Sequence, residues 1–273
     1  MVDIRQTLQY AKYLNGIGWS VERINEINYF IKKFLIIGSV IKIQRPEEIR
    51  YHDIKILNAK HRAFQIILEP KTMNDELRTM NFGFKLSKSP YLPTKTLHLD
   101  LTLSEKELSN RLKKDARSAL RTTNNSELIT NNDIGSFRNS WKEAVGWRRY
   151  VPPLSHLVAL KKSFENKCLL LQCNSTLKQN AGAVFLIGEK TGYYWQAFTN
   201  KEGRKLQAQY KIVWEGILWA KERGAKVFDF EGIYDERFPN KSWLGFTHFK
   251  KSFGGYEISY PGTYTKFLLP FGL

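Results

Sequence analysis

At 273 residues, 42% of them hydrophobic and 14% aromatic, the chain is long enough for one large or two smaller cores and too apolar to be disordered. Its formal net charge is +17, with 22 Lys and Arg against 15 Asp and Glu in residues 1–135 and 21 against 11 in residues 136–273. The basic charge therefore covers the whole body and favours polyanionic partners: RNA, nucleotide phosphates or an anionic membrane face.

In chain order, a helix is expected near Gln6–Leu14 and a strand at Trp19–Ile24, entered from Gly16-Ile17-Gly18. Tyr29–Arg45 reads as a strand pair about Gly38, closed by Pro46, with a helix over Glu47–Lys60. A strand at Phe64–Glu69, a short helix at Asp75–Asn81 and an alternating strand at Thr96–Leu101 follow. Ser104 and Glu107 form a capping box for one long basic helix to about Arg121. Thr122–Asn132 reads as a loop between halves, setting domains at 1–132 and 133–273. The second half begins with helices at Gly135–Trp147 and Pro153–Asn166. Strands follow at Lys167–Cys173, Asn180–Gly188 and Gly192–Thr199. A long helix spans Leu206–Arg223 with Leu206, Tyr210, Val213, Ile217 and Ala220 on one face. Strand Lys226–Phe230, a short helix and two strands at Glu257–Tyr260 and Tyr264–Leu269 complete the chain. This order resembles an acetyltransferase-type (GNAT) domain. The expected class is α+β, with two tandem GNAT-like domains, the first a degraded copy.

Cys168 and Cys173 are spaced for neither a zinc site nor a disulfide framework, and both read as small core residues in a reducing cytoplasm. The N-terminus lacks a signal-peptide pattern, and the longest apolar run, Phe34–Val40, falls well short of a bilayer span. Cytoplasmic placement is expected, with peripheral contact at the inner membrane face. The five histidines are scattered, no metal site is expected, and neither a Gly-x-Ser-x-Gly elbow nor a phosphate-binding Gly-x-x-x-x-Gly-Lys loop occurs. Ahead of the long helix stands Gly203-Arg204-Lys205-Leu206-Gln207-Ala208, with bulky side chains where CoA-binding relatives of the fold need bare backbone amides. This argues against CoA, although Arg204 and Lys205 could grip a phosphate by side chain. Phe249-Lys250-Lys251-Ser252-Phe253-Gly254-Gly255 joins an aromatic face, two ammonium groups and a glycine pair. It suits either a phosphate-bearing ligand or an ordinary surface turn.

Three blocks together resemble the FemAB/FemX family. They are Leu97-His98-Leu99-Asp100-Leu101 with the basic run Lys113–Arg121; Tyr193-Tyr194-Trp195-Gln196-Ala197 through Gln209-Tyr210 and Trp214 to Asp229-Phe230-Glu231-Gly232; and Phe249–Gly255 with Gly262-Thr263-Tyr264 and Leu268-Leu269-Pro270. The likeness covers most of 95–273 and is weaker before it, where Gln9 and Gly18-Trp19 match. The family attaches amino acids from aminoacyl-tRNA to the peptide stem of peptidoglycan precursors. The resemblance thus implies an aminoacyltransferase with no resident cofactor. Its partners would be aminoacyl-tRNA and a lipid- or nucleotide-linked precursor; DNA is not expected. Lys250 is assigned to hold and polarise the donor, with Phe249, Arg204 and Lys205 at the tRNA end. Asp100 is the candidate acid, and Lys12, Arg149, Tyr194, Tyr210 and Asp229 are candidates on the acceptor side. Two departures stand out: Leu14 and Asn15 occupy the place of the family's phosphate-binding lysine, and Glu231 replaces the first glycine of Asp-Phe-Gly-Gly. A CoA-dependent N-acyltransferase of the same fold and a non-catalytic RNA-binding protein are the alternatives.

Overall fold

The computed structural model describes residues 1–122, 127–130, 133–175 and 178–268. The elements, in order, are α1 (Leu8–Gly16), β1 (Ser20–Ile24), β2 (Ile27–Phe34), β3 (Gly38–Gln44), α2 (Tyr51–His61), β4 (Ala63–Glu69), α3 (Asp75–Asn81), β5 (Lys85–Leu86) and β6 (Lys95–Asp100). Then come α4 (Glu105–Asn110), α5 (Lys114–Thr122), β7 (Glu127–Thr130), α6 (Ile134–Val145), α7 (Leu154–Phe164), β8 (Cys168–Ser175), β9 (Lys178–Gly188) and β10 (Thr191–Thr199). The chain closes with α8 (Lys201–Lys205), α9 (Ala208–Glu222), β11 (Val227–Asp229), α10 (Leu244–Lys251), β12 (Tyr256–Ser259) and β13 (Tyr264–Phe267). The α+β class is as expected.

Two compact units form, but they are not the halves 1–132 and 133–273. One comprises 1–95, 235–239 and 259–273; the other comprises 96–234 and 240–258. Sheet pairing is the reason. β6 joins the second sheet by pairing with β11, and β13 inserts between β4 and β5 of the first. The first unit is a six-stranded sheet, β1-β2-β3-β4-β13-β5, packed around Tyr29, Ile31, Ile41 and Leu68. The second is a seven-stranded sheet, β12-β6-β11-β10-β9-β8-β7, with its core around Phe185, Ile212, Ile217, Phe228 and Phe253.

Several local expectations need correcting. The helix expected from Ser104 to Arg121 breaks in two because the Lys113 amide donates to the Ser252 carbonyl at 2.8 Å instead of continuing the helix. α2 starts at Tyr51 rather than Glu47, with Ile49 buried ahead of it. The expected loop 122–132 contains a strand, β7, paired with β8, and its residues 123–126 and 131–132 lie outside the described residues, as do Leu269 and Pro270 of the C-terminal motif. Both cysteines are buried.

α9 approaches its sheet at Gly216, where an added Cβ would come within 2.2 Å of the fully buried Phe185 ring. Elsewhere in a helix, Gly→Ala gains about 1 kcal/mol. Here, overpacking should reverse the sign, and Gly216→Ala is expected to lower stability by about 1–2 kcal/mol net in urea melts. An increase would show that the helix can move away from the sheet without cost.

Candidate active site

β10 and β11 pair in parallel for three residues only, Thr191 with Val227, Gly192 with Phe228 and Tyr193 with Asp229. Beyond this, β10 carries a bulge at Trp195, where its register against β9 shifts, and a bulge bends and twists its strand. β11 ends, and the chain turns through Glu231, whose φ is +56°. Where the pairing stops, the second unit holds a cavity of about 510 Å³, lined among others by Arg149, Tyr194, Trp195, Arg204, Gln209, Tyr210, Glu231, Phe246, Phe249 and Lys250.

α10 supplies one wall. Phe246, Phe249 and Lys250 stand at i, i+3 and i+4, a single helical face. Lys251 points elsewhere and pairs with Glu257. Lys250 is only 8% exposed, and its ammonium donates to the carbonyls of Phe230 and Gly232, both at 2.6 Å. It also lies 5.1 Å from the Phe246 ring and 5.7 Å from the Tyr194 ring. Burial pulls its pKa down to about 8, while the Glu231 and Asp229 carboxylates act to keep it charged. An ammonium has three donors, so two are committed to backbone and one is left for the cavity side. Phe249 packs edge-on to Tyr210 at 4.8 Å.

Glu231 occupies a left-handed backbone position that an L residue takes at a cost of roughly 1 kcal/mol. The turn is braced from below. The Asp229 carboxylate accepts from the Glu231 amide at 2.8 Å and from the Thr96 hydroxyl, and the Thr96 oxygen accepts from the Gly232 amide at 3.1 Å. The His98 imidazole lies 3.2 Å from Asp229. Burial alone would raise the Asp229 carboxyl, but the His98 ring, the Thr96 hydroxyl and the Glu231 amide outweigh it and hold the pKa below the usual carboxylate range. Across the cavity, the Gln209 amide donates to the Tyr194 hydroxyl at 2.8 Å, and its buried oxygen makes no hydrogen bond among the described residues.

The residues singled out in the sequence thus separate. Lys250, Phe249, Arg204, Arg149, Tyr194 and Tyr210 line the cavity. Asp229 does not: it is 2% exposed and supports the turn from behind. Asp100 is also outside it. Its carboxylate accepts from the Thr102 hydroxyl and amide, which lower its pKa and fix the loop after β6. Lys205 pairs with Glu202 at 3.0 Å away from the cavity lining, and Lys12 lies exposed on α1 of the first unit. The glycine pair after α10 is a packing requirement. Gly254 and Gly255 have φ of +85° and +92°, and a Cβ on Gly255 would meet the His98 carbonyl at 2.3 Å. Sequence reasoning missed Phe246, though its spacing from Phe249 and Lys250 was visible, and Gln209. It marked Glu231 as a replacement at a glycine position but named Asp229, not Glu231, for the acceptor side.

Residues 156–271 match the FemAB family model. No curated protein matches the chain. Among solved structures, the crystal structure of FemX superposes with a TM-score of 0.80 at 15% identity, over 97% of this chain and 92% of that one. L-PGS from Bacillus licheniformis gives 0.60 at 11% identity, over 93% and 86%. A tandem GNAT protein from the clavulanic acid biosynthesis pathway gives 0.54 at 9%, over 92% and 83%. At such identities the likeness is one of fold. The matched segment includes Tyr194, Trp195, Glu231, Phe249 and Lys250 but not Arg149. Over residues 156–271 the chain is thus similar to the FemAB family, and its tandem GNAT-like fold is one shared with FemX, in line with the resemblance of its motifs.

Proposed function

We propose that the chain moves an aminoacyl group from aminoacyl-tRNA to an amine of a peptidoglycan-precursor peptide, lipid- or nucleotide-linked, with Lys250 and Glu231 as the central pair. The observation carrying this reading is a buried ammonium and a carboxylate facing one aromatic-lined cavity. The aminoacyl ester is already activated, so transfer requires positioning, charge stabilisation and removal of two protons from the incoming ammonium, one before attack and one after it. The amine nitrogen attacks the ester carbonyl, and a C–N bond forms. The carbonyl oxygen gains negative charge, which the Lys250 ammonium stabilises. On collapse the C–O bond to the terminal ribose breaks, and the ribose oxygen takes up the proton that the amine loses. Glu231 holds the incoming ammonium and takes its first proton, which passes on to solvent, so that the neutral amine can attack; the proton the nitrogen loses after attack is the one that reaches the ribose oxygen. Phe249 and Phe246 offer faces to the terminal base, and Arg149 and Arg204 offer cations to its phosphates.

The backbone before α9 supports an RNA-linked donor over CoA. The amides of Gly203, Arg204, Leu206, Gln207 and Tyr210 already donate to Asn200, Glu202, Arg204 and Gln207. A pyrophosphate approaching this loop finds those donors occupied. Asp100 and Asp229 are not given chemical roles in this scheme.

Lys250→Ala is expected to lower single-turnover transfer from charged tRNA to a precursor pentapeptide by about 10²–10³-fold. Unchanged transfer rules out the assignment. Because burial sets the Lys250 pKa near 8, wild-type transfer should decline as pH rises through about 8, whereas a Lys250→Arg enzyme that retains activity should show no such limb. The stability sign follows from the same shift. The folded value lies below the unfolded 10.5, so the buried charge costs stability at neutral pH, and this cost is relieved as pH rises from about 8 towards 10.5. Glu231→Gly relieves left-handed strain of roughly 1 kcal/mol but takes away the carboxylate that favours the charged form of buried Lys250, so no net gain in stability is expected. Its expected signature is a KM for the amine acceptor raised by about tenfold or more. An unchanged KM places the acceptor ammonium elsewhere.

A further inference from the structure

We propose that the tip of the β2–β3 hairpin inserts into an anionic lipid surface. The two strands stay paired to Phe34 and Gly38, and the turn between them is Leu35-Ile36-Ile37. Lower in the same strands, Phe30, Ile31, Val40 and Ile41 are buried in the first unit's core. At the tip the pattern reverses. Leu35 is wholly exposed and Ile36 almost so, with Ile37 at 54% and Phe34 at 45%. Four consecutive exposed apolar side chains at a hairpin end are costly in water, and turns there ordinarily carry Gly, Asn or Asp.

The charge around the tip indicates what covers it. No Asp or Glu occurs between Glu26 and Glu47. Lys33 is exposed immediately before the tip, and Arg62 is exposed beside Gly38, held there by the Ser39 amide donating to the Arg62 carbonyl at 3.2 Å. Lys32 is already committed to the Gly18 carbonyl at 2.7 Å, so Lys33 and Arg62 are the cations presented with the tip. An apolar end with cations one residue behind it complements acyl chains beneath anionic headgroups, where each Lys or Arg adds to binding. A protein partner fits less well, since a stable interface needs about 800 Å² per side and a convex three-residue turn presents far less. Among the described residues no helix is long and apolar enough to cross a membrane, so the contact is peripheral and reversible.

The test is co-sedimentation of the full chain with phosphatidylcholine vesicles, with and without phosphatidylglycerol. Binding is expected only when phosphatidylglycerol is present. The Leu35→Ser/Ile36→Ser double variant should weaken it by about tenfold or more while melting as the wild type does. Lys33→Glu should weaken it further as salt falls, the reverse of the wild-type trend. In an Ile36→Trp variant, fluorescence of the introduced indole should be quenched by lipids brominated on the acyl chains. The proposal is overturned if the wild type ignores anionic vesicles, if the double variant binds as tightly as the wild type, or if bromolipids leave that indole unquenched. It is equally overturned if sedimentation equilibrium without lipid shows a dimer that the double variant dissolves, for the tip's partner is then a second copy of the chain. Because none of these readouts is turnover, their failure leaves the proposed reaction untouched, and the failure of transfer leaves the lipid contact standing.

Discussion

Two backbone carbonyls, Phe230 and Gly232, point at one ammonium, and most of the site's geometry follows from that contact. A lysine removed from water is tolerated only where its donors and charge are met. The turn between the carbonyls meets both needs, since it also carries the Glu231 carboxylate. Its left-handed residue is held from below by Asp229 and Thr96 and from above by Lys250. Lys250 therefore fixes the position of the acid as well as offering a charge. Asp229 acts through the turn and not on a ligand, which explains why a carboxylate so near the cavity takes no part in lining it.

The cavity exists because two neighbouring strands stop pairing. A parallel ladder three residues long, followed by a bulge on one strand and a tight turn on the other, leaves a gap that side chains from α9 and α10 line. The lining is unusual for a basic protein. Among the described residues it combines aromatic rings and the cations of Arg149, Arg204 and Lys250 with the carboxylate of Glu231. In a field of net charge +17, an anionic ligand is drawn in from any direction. On the proposed reading a cationic amine needs a local anchor, and the Glu231 carboxylate is the acid placed to serve as one.

Much of this was legible in the sequence. Strand alternation at Thr96–Leu101 and the spacing within Phe249–Gly255 depend on short-range periodicity and survived folding, as did Val213, Ile217 and Ala220 on the buried face of α9. Leu206, read as part of that face, lies outside α9 and is exposed because the chain turns through a left-handed Gln207. The capping box at Ser104 and Glu107 formed as read. What could not be read was set by distant partners. The helix after it breaks at Lys113 because its amide finds Ser252, and Asp100 becomes a loop anchor through Thr102. Likewise, the boundary at 132 failed because β6 and β13 pair far from their sequence neighbours, and pattern alone does not reveal which sheet a strand will join. The glycines of the Phe249–Gly255 motif were legible as glycines but not as packing against a carbonyl, since the carbonyl belongs to β6.

The placement of β13 has a consequence for how the chain matures. It lies inside the first sheet, between β4 and β5, and Thr263 just before it donates to Glu69, 194 positions earlier. On a ribosome that makes chain from the N-terminus, the first sheet must wait with β4 unpaired on one side until Phe267 has emerged. During that interval the apolar Ile66, Ile67 and Leu68 present an open strand edge, the state most exposed to mispairing and to holding by chaperones. A messenger cut short before codon 264 thus yields a chain whose second unit has all its strands and whose first sheet cannot close.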